Sequence, residues 1–132
     1  MSEFVEIERS EIAVQFVRVR DGLEHIRRAW DELEALVPPR GRHFYGAFDP
    51  VAEDYRACVE VREGDELAPG LESGTLPGGR YLRARLRGDP PAVYEQIGPT
   101  FDELTKQVRP DTSRLSLEHY RRHDEIDLLL PI

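Results

Sequence analysis

The amino-acid sequence predicts an α+β fold in which one strand–helix–strand–strand unit occurs twice, with both helices on one face of an antiparallel sheet. Three observations lead there. Leu23, Ile26, Trp30, Leu33 and Val37 recur at spacings of three and four, the stripe of an amphipathic helix. The same phase returns 71 residues later in Tyr94, Ile97, Phe101, Leu104 and Val108, and WDEL at 30–33 is answered by FDEL at 101–104. Upstream of each helix, QFVRVRDG (15–22) and YLRARLRG (81–88) match at an offset of 66, alternating apolar and charged residues as a half-buried strand does. Five matched helix positions behind a matched strand point to an internal duplication.

The remaining elements follow in order. The second strand-to-helix connection is longer by DPPAV, which accounts for the change in offset. PPRGR (38–42) and RPDTS (109–113) supply the proline expected just past a helix end. Strand-like segments come next: HFYGAFD (43–49) and DYRACVEVR (54–62) in the first unit, LSLEHYRR (115–122) and EIDLLLPI (125–132) in the second. The units therefore span about 5–63 and 80–132, joined by a Gly- and Pro-rich linker, GDELAPGLESGTLPGG (64–79). Gly98-Pro99 should kink or divide the second helix near residue 98. Each helix carries a single apolar stripe and must bury it on a sheet.

Composition narrows the function classes. The 132 residues are expected to form a single domain over 1–132 with its own core. The 26 acidic and 18 basic residues leave a net charge of -8, a field that repels phosphate backbones, so neither nucleic acid nor an anionic membrane is an expected partner. The lone Cys58 excludes an internal disulfide and any multi-cysteine zinc site. MSEFVEIERSE at the start has no apolar core of a signal peptide, and no stretch approaches the ~20 apolar residues of a membrane helix, so the expected place is the cytoplasm.

Few residues stand out chemically. His119 and His123 span a strand and a turn, where four residues cover ~13 Å of extended chain, and no third ligand is evident; no metal and no cofactor are expected. His25 and His43 read as surface or rim residues, and Cys58 as a small buried hydrophobe. GTLPGG (74–79) lacks the Lys and Ser/Thr of a phosphate cradle and reads as a tight turn. LSLEHYRR is more informative. Period-two alternation sends Glu118 and Tyr120 to one face and Leu117 and His119 to the other. With the helices covering the leucine face, Glu118 and Tyr120 are expected on the opposite one, in a groove where two half-sheets meet. A carboxylate walled there by aromatic rings attracts cations, each ring adding ~0.5–2 kcal/mol of cation–π energy.

FYGAFDP and DYRACVEV, then GTLPGGRYLRARLRG, SLEHY and the closing DLLLPI, with AWDEL upstream, occur in an order that resembles the GyrI-like small-molecule-binding domain. That family is also known as the effector-binding domain of AraC- and MerR-type multidrug regulators. The resemblance covers roughly residues 5–132, and LPGGRY and the LE-x-Y pair are its most specific parts. It implies pseudo-twofold symmetry and a ligand groove between the halves, occupied by hydrophobic, aromatic and often cationic compounds. It places the ligand-anchoring glutamate at Glu118, with Tyr120, Tyr45, Phe48, Trp30 and Tyr81 as candidate wall residues. Tyr45 and Phe48 lie on opposite faces of one strand, so at least one should fail unless a bulge intervenes.

About ten residues precede the first expected strand, too few for a helix-turn-helix, and the negative charge opposes DNA, so a stand-alone member is expected. The leading expectation is a binding module for small aromatic cations with Glu118 as counter-charge. Two alternatives come with the resemblance. One is hydrolysis of cyclopropane-bearing genotoxic electrophiles, with Glu118 activating water. The other is interaction with a protein such as gyrase. Monomer and dimer both remain open.

Overall fold

Alternating segments become strands and the two apolar stripes become helices because each can bury only one side of itself. A computed structural model describes residues 4–37, 41–65 and 68–132. Its strands are β1 (Phe4–Arg9), β2 (Ile12–Arg20), β3 (Phe44–Asp49), β4 (Asp54–Glu60), β5 (Glu72–Leu76), β6 (Gly79–Arg87), β7 (Ser116–Arg122) and β8 (Glu125–Pro131). The helices are α1 (Leu23–Leu36) and α2 (Ile97–Gln107), the second preceded by a 3₁₀ turn at Ala92–Gln96. The division expected near Gly98-Pro99 thus falls between residues 96 and 97. Pro99 sits in the first turn of α2, where its missing N–H is no loss.

All the strands join one antiparallel sheet in the order β1-β6-β8-β7-β3-β4-β2-β5. The two triplets β6-β8-β7 and β2-β4-β3 have the same internal order and meet at the β7–β3 pair. Two strands were not expected from sequence. β1 lies where only a short leader was read, and β5 lies inside the stretch read as a linker, whose residue 79 already begins β6. Residues 66 and 67 of that stretch, and 38–40 of the first breaker, lie outside the described residues.

The extra strands cross over. β1 precedes β2 in the chain but pairs with β6; β5 precedes β6 but pairs with β2. The links 10–11 and 77–78 therefore connect opposite ends of the sheet, which must curl to let them pass. Side chains confirm the curl: β1 and β3 are four positions apart, ~19 Å across a flat sheet, yet an Arg9 guanidinium N–H donates to the Tyr45 hydroxyl at 3.0 Å.

Both faces of the curled sheet are consequently buried. On the helix side, α1 packs Ala29 and Leu33 against Tyr55, Ala57 and Val59, and the α2 residue Leu104 packs with Val93 against Leu82, Leu86, Ile126 and Leu128. On the helix-free side Val14, Phe16, Tyr45, Cys58, Leu76, Tyr81, Leu117 and Leu129 make a core of their own. This two-sided burial is why β8 is buried from Ile126 to Pro131, apolar throughout except for Asp127, which pairs with Arg85 at 2.7 Å. Among the described residues no helix is long and apolar enough to cross a membrane.

Candidate functional site

The site grows out of the β7–β3–β4 register. Tyr120 stands opposite Phe44, Glu118 opposite Gly46 and Ser116 opposite Phe48. On the other side Gly46 stands opposite Ala57 and Phe48 opposite Tyr55. Paired residues share a face, so Phe44, Gly46, Phe48, Tyr55, Glu118 and Tyr120 all point one way. Tyr55, Ala57, Phe44 and Phe48 pack with α1, which fixes that way as the helix side.

This corrects the sequence-based placement. Glu118 and Tyr120 lie under the helices, and Leu117 lies on the helix-free face. The expectation assumed that apolar side chains mark the helix-covered face. Here the other face is equally apolar because the sheet curls over it, and the leucines carry no information about the helices.

Glu118 is the centre of a hydrogen-bonded set. Its Oε1 accepts from the Tyr120 hydroxyl at 2.7 Å and from the Tyr55 hydroxyl at 2.8 Å. The Tyr55 oxygen in turn accepts from the Trp30 indole N–H at 3.1 Å. Trp30 meets the Tyr120 ring edge to face at 5.3 Å and leans on Phe44 at 6.3 Å; Tyr94 approaches Tyr120 from the 3₁₀ turn at 6.4 Å. Neither Oε2 nor the carboxylate as a whole has a basic partner among the described residues. Burial raises the Glu118 pKa, and the hydroxyls of Tyr120 and Tyr55 oppose that rise by stabilising the charged form. Burial, followed by the field of Glu118, pushes both phenols well above their usual range, so they stay protonated donors.

Of the residues singled out from sequence, the structure brings Glu118, Tyr120 and Trp30 together and puts Phe48 on the same face within the α1 cluster. Tyr45 and Tyr81 are corrections. They are 2% and 0% exposed, on the far side of the sheet. Tyr45 stacks on His119 at 4.4 Å, and the Tyr81 hydroxyl donates to the Pro77 carbonyl. Of Tyr45 and Phe48, which strand alternation puts on opposite faces, only Phe48 shares the face of Glu118.

Sequence reasoning missed Tyr55, Phe44 and Tyr94. Phe44 shares the parity of Phe48, and Tyr55 that of Ala57 and Val59, so alternation held the signal. Tyr94, 47% exposed, opens the second apolar stripe and was read only as core.

His119 serves elsewhere. Arginine can only donate, so Arg9 at 3.1 Å fixes Nδ1 of His119 as acceptor, and its Nε2–H donates to Nδ1 of His43 at 3.2 Å. A cavity of about 170 Å³, lined by Gln15, Val37, Arg42, Val59 and Asp65, lies beyond the C-terminal end of α1 and does not touch Glu118.

The sequence model of Cass2, the integron-associated effector binding protein, matches residues 18–132. The chain belongs to the Cass2 family. Its fold is that of a GyrI-like effector-binding domain, a small-molecule-binding class. The Cass2 integron cassette protein from the mobile metagenome of Vibrio cholerae is 14% identical, with a TM-score of 0.75 over 97% of this chain and 94% of that one. SAV2435, solved bound to tetraphenylphosphonium, is 14% identical, with a TM-score of 0.69 over 98% of this chain and 93% of that one. The C-terminal domain of EcmrR is 9% identical, with a TM-score of 0.69 over 99% and 97%. At these identities the likeness is one of fold. No curated protein sequence matches the chain.

Proposed function

We propose that this Cass2-family protein binds hydrophobic aromatic cations between α1 and the 3₁₀ turn that leads into α2, over the β7–β3 pair at the centre of the sheet. One observation carries the reading: Glu118 is a carboxylate drawn out of water, held by two phenols, with aromatic rings around it and no basic partner among the described residues. An unpaired charge in such a place is unfavourable until a cation arrives. An aromatic cation neutralises it, buries apolar area worth ~25 cal/mol/Å² and faces the rings of Trp30, Tyr120 and Tyr94. Trp30 and Tyr120 touch one another, so a ligand enters by turning these rings apart. The tetraphenylphosphonium held by the fold relative SAV2435 is of the same chemical class and supports the reading. The repeated strand order around β7–β3 supports an ancestral duplication whose junction became the site.

Binding is favoured over hydrolysis by the same hydrogen bonds. Two phenols on one oxygen stabilise the carboxylate and weaken it as a base toward water. Incubation with a cyclopropyl electrophile should leave it unchanged by mass spectrometry.

The test uses the one tryptophan of the chain, Trp30, as reporter. Tetraphenylphosphonium should change its emission saturably. Glu118→Gln should weaken that cation at least tenfold while leaving triphenylphosphine oxide, uncharged and of similar aromatic bulk, within twofold. Equal weakening of both would refute the counter-charge role.

A further inference from the structure

Gly46 faces Glu118 directly across the β3–β7 pair and Ala57 across the β3–β4 pair. Across the sheet that row reads Leu128, Glu118, Gly46, Ala57, Val17, so the two positions that follow the glutamate on its β3 side carry the smallest residues of the row. The gap is filled. A Cβ placed on Gly46 would lie 2.1 Å from the Tyr55 hydroxyl oxygen, 2.3 Å from Glu118 Oε1 and 2.9 Å from Tyr55 Cζ. The glutamate leans from β7 and the tyrosine from β4 until they meet above the glycine, where they form their hydrogen bond.

Every atom crowding that point belongs to a side-chain end, and the Gly46 backbone lies outside the left-handed region that favours glycine. Nothing in the main chain requires glycine in this strand. Elsewhere the sheet uses glycine for other ends: Gly78 is crowded by the backbone of Arg9, Ser10 and Glu11, and Gly79 has a φ of 124°.

We infer that Gly46 is the positioning residue of the cation site: by withholding a side chain it lets the Glu118 carboxylate and the Tyr55 hydroxyl converge, and so sets where the negative charge stands. The inference rests on the ligand reading above and adds to it a residue that touches no ligand. A methyl group here must push Oε1 and the Tyr55 hydroxyl apart. Tyr55 is also the acceptor for Trp30, so the displacement reaches the indole.

The experiment is a double-variant cycle read by Trp30 emission, with tetraphenylphosphonium and triphenylphosphine oxide as probes. Gly46→Ala should weaken the cation about tenfold, leave the neutral probe within twofold and shift the indole emission of the free protein. Adding it to Glu118→Gln should cost the cation no more than another twofold, because both changes remove the same positioned charge. If Glu118→Gln weakens the cation and Gly46→Ala does not, or if the two losses multiply fully, the inference is overturned while the ligand reading survives. If Glu118→Gln itself spares the cation, the ligand reading fails first. Should Gly46→Ala not fold, the same comparison is made in a Tyr55→Phe background, which removes the atom nearest the new methyl. There Gly46→Ala should fold and still weaken the cation severalfold, because the methyl still displaces Glu118 Oε1; failure to fold, or a further loss below twofold, would overturn the inference.

Discussion

A carboxylate that is half-buried, phenol-bound and without a cationic neighbour among the described residues titrates in a way that binding can report. Burial raises its pKa above the ordinary 4.5. Only the ionised form attracts a cation, so affinity for tetraphenylphosphonium should be full at neutral pH and fall as pH drops through that raised value. The neutral probe should show no such fall, nor should Glu118→Gln with either probe. Titrations from pH 7.5 to 4.5 check this, and a cation affinity flat across that range would remove Glu118 from the site. The linkage has the matching sign for the free protein: a raised carboxyl is better tolerated protonated, so ionising Glu118 takes stability away, and a bound cation restores it.

Among the elements, the most exacting is the pair of links that joins the sheet's ends. Gly78 lies against the link between β1 and β2, where an added Cβ would stand 2.8 Å from the Glu11 nitrogen and 2.9 Å from the Arg9 carbonyl oxygen. Backbone cannot swing aside as a tyrosine can. Gly78→Ala should therefore destabilise the protein by about 1–3 kcal/mol in urea unfolding, more than Gly46→Ala does. Arg114 binds the same region together. It donates to the carbonyls of Gly78, Arg80 and Ile132 and pairs with Asp111 at 3.1 Å. The LPGG segment, which looked like a turn, is thus the place where the two sheet ends touch.

For the molecule as a whole, curling puts titratable groups inside the helix-free core. His119 is held near pKa 3, first by burial and then by Arg9 and His43, with Asp127 opposing. The unfolded chain protonates this ring below about pH 6.5, so its contribution is complete above that value and is lost as pH falls from there toward 3. A shift of this size amounts to roughly a few kcal/mol over the whole window. The loss in urea midpoint between pH 7 and pH 4.5 should therefore be smaller in His119→Gln than in the parent. An unchanged loss would mean that other groups, not this histidine, carry the acid sensitivity.

The helices, the paired strands and the break before α2 were legible in the sequence because each depends on neighbours in the chain: a stripe of period 3.6, an alternation of period two, a proline that cannot continue a helix. Glu118 and Tyr120 on one face of β7 were legible for the same reason. The strands β1 and β5 were obscured because they are short edge strands whose partners lie on the far side of the sheet. Alternation tells which residues share a face but not which face the helices cover. That choice, and with it the place of Glu118, Tyr45 and Tyr81, was decided only when the sheet curled and buried its second side. The meeting of Tyr55 with Glu118 over Gly46 joins residues 63 apart in sequence through a strand register, which no local pattern encodes.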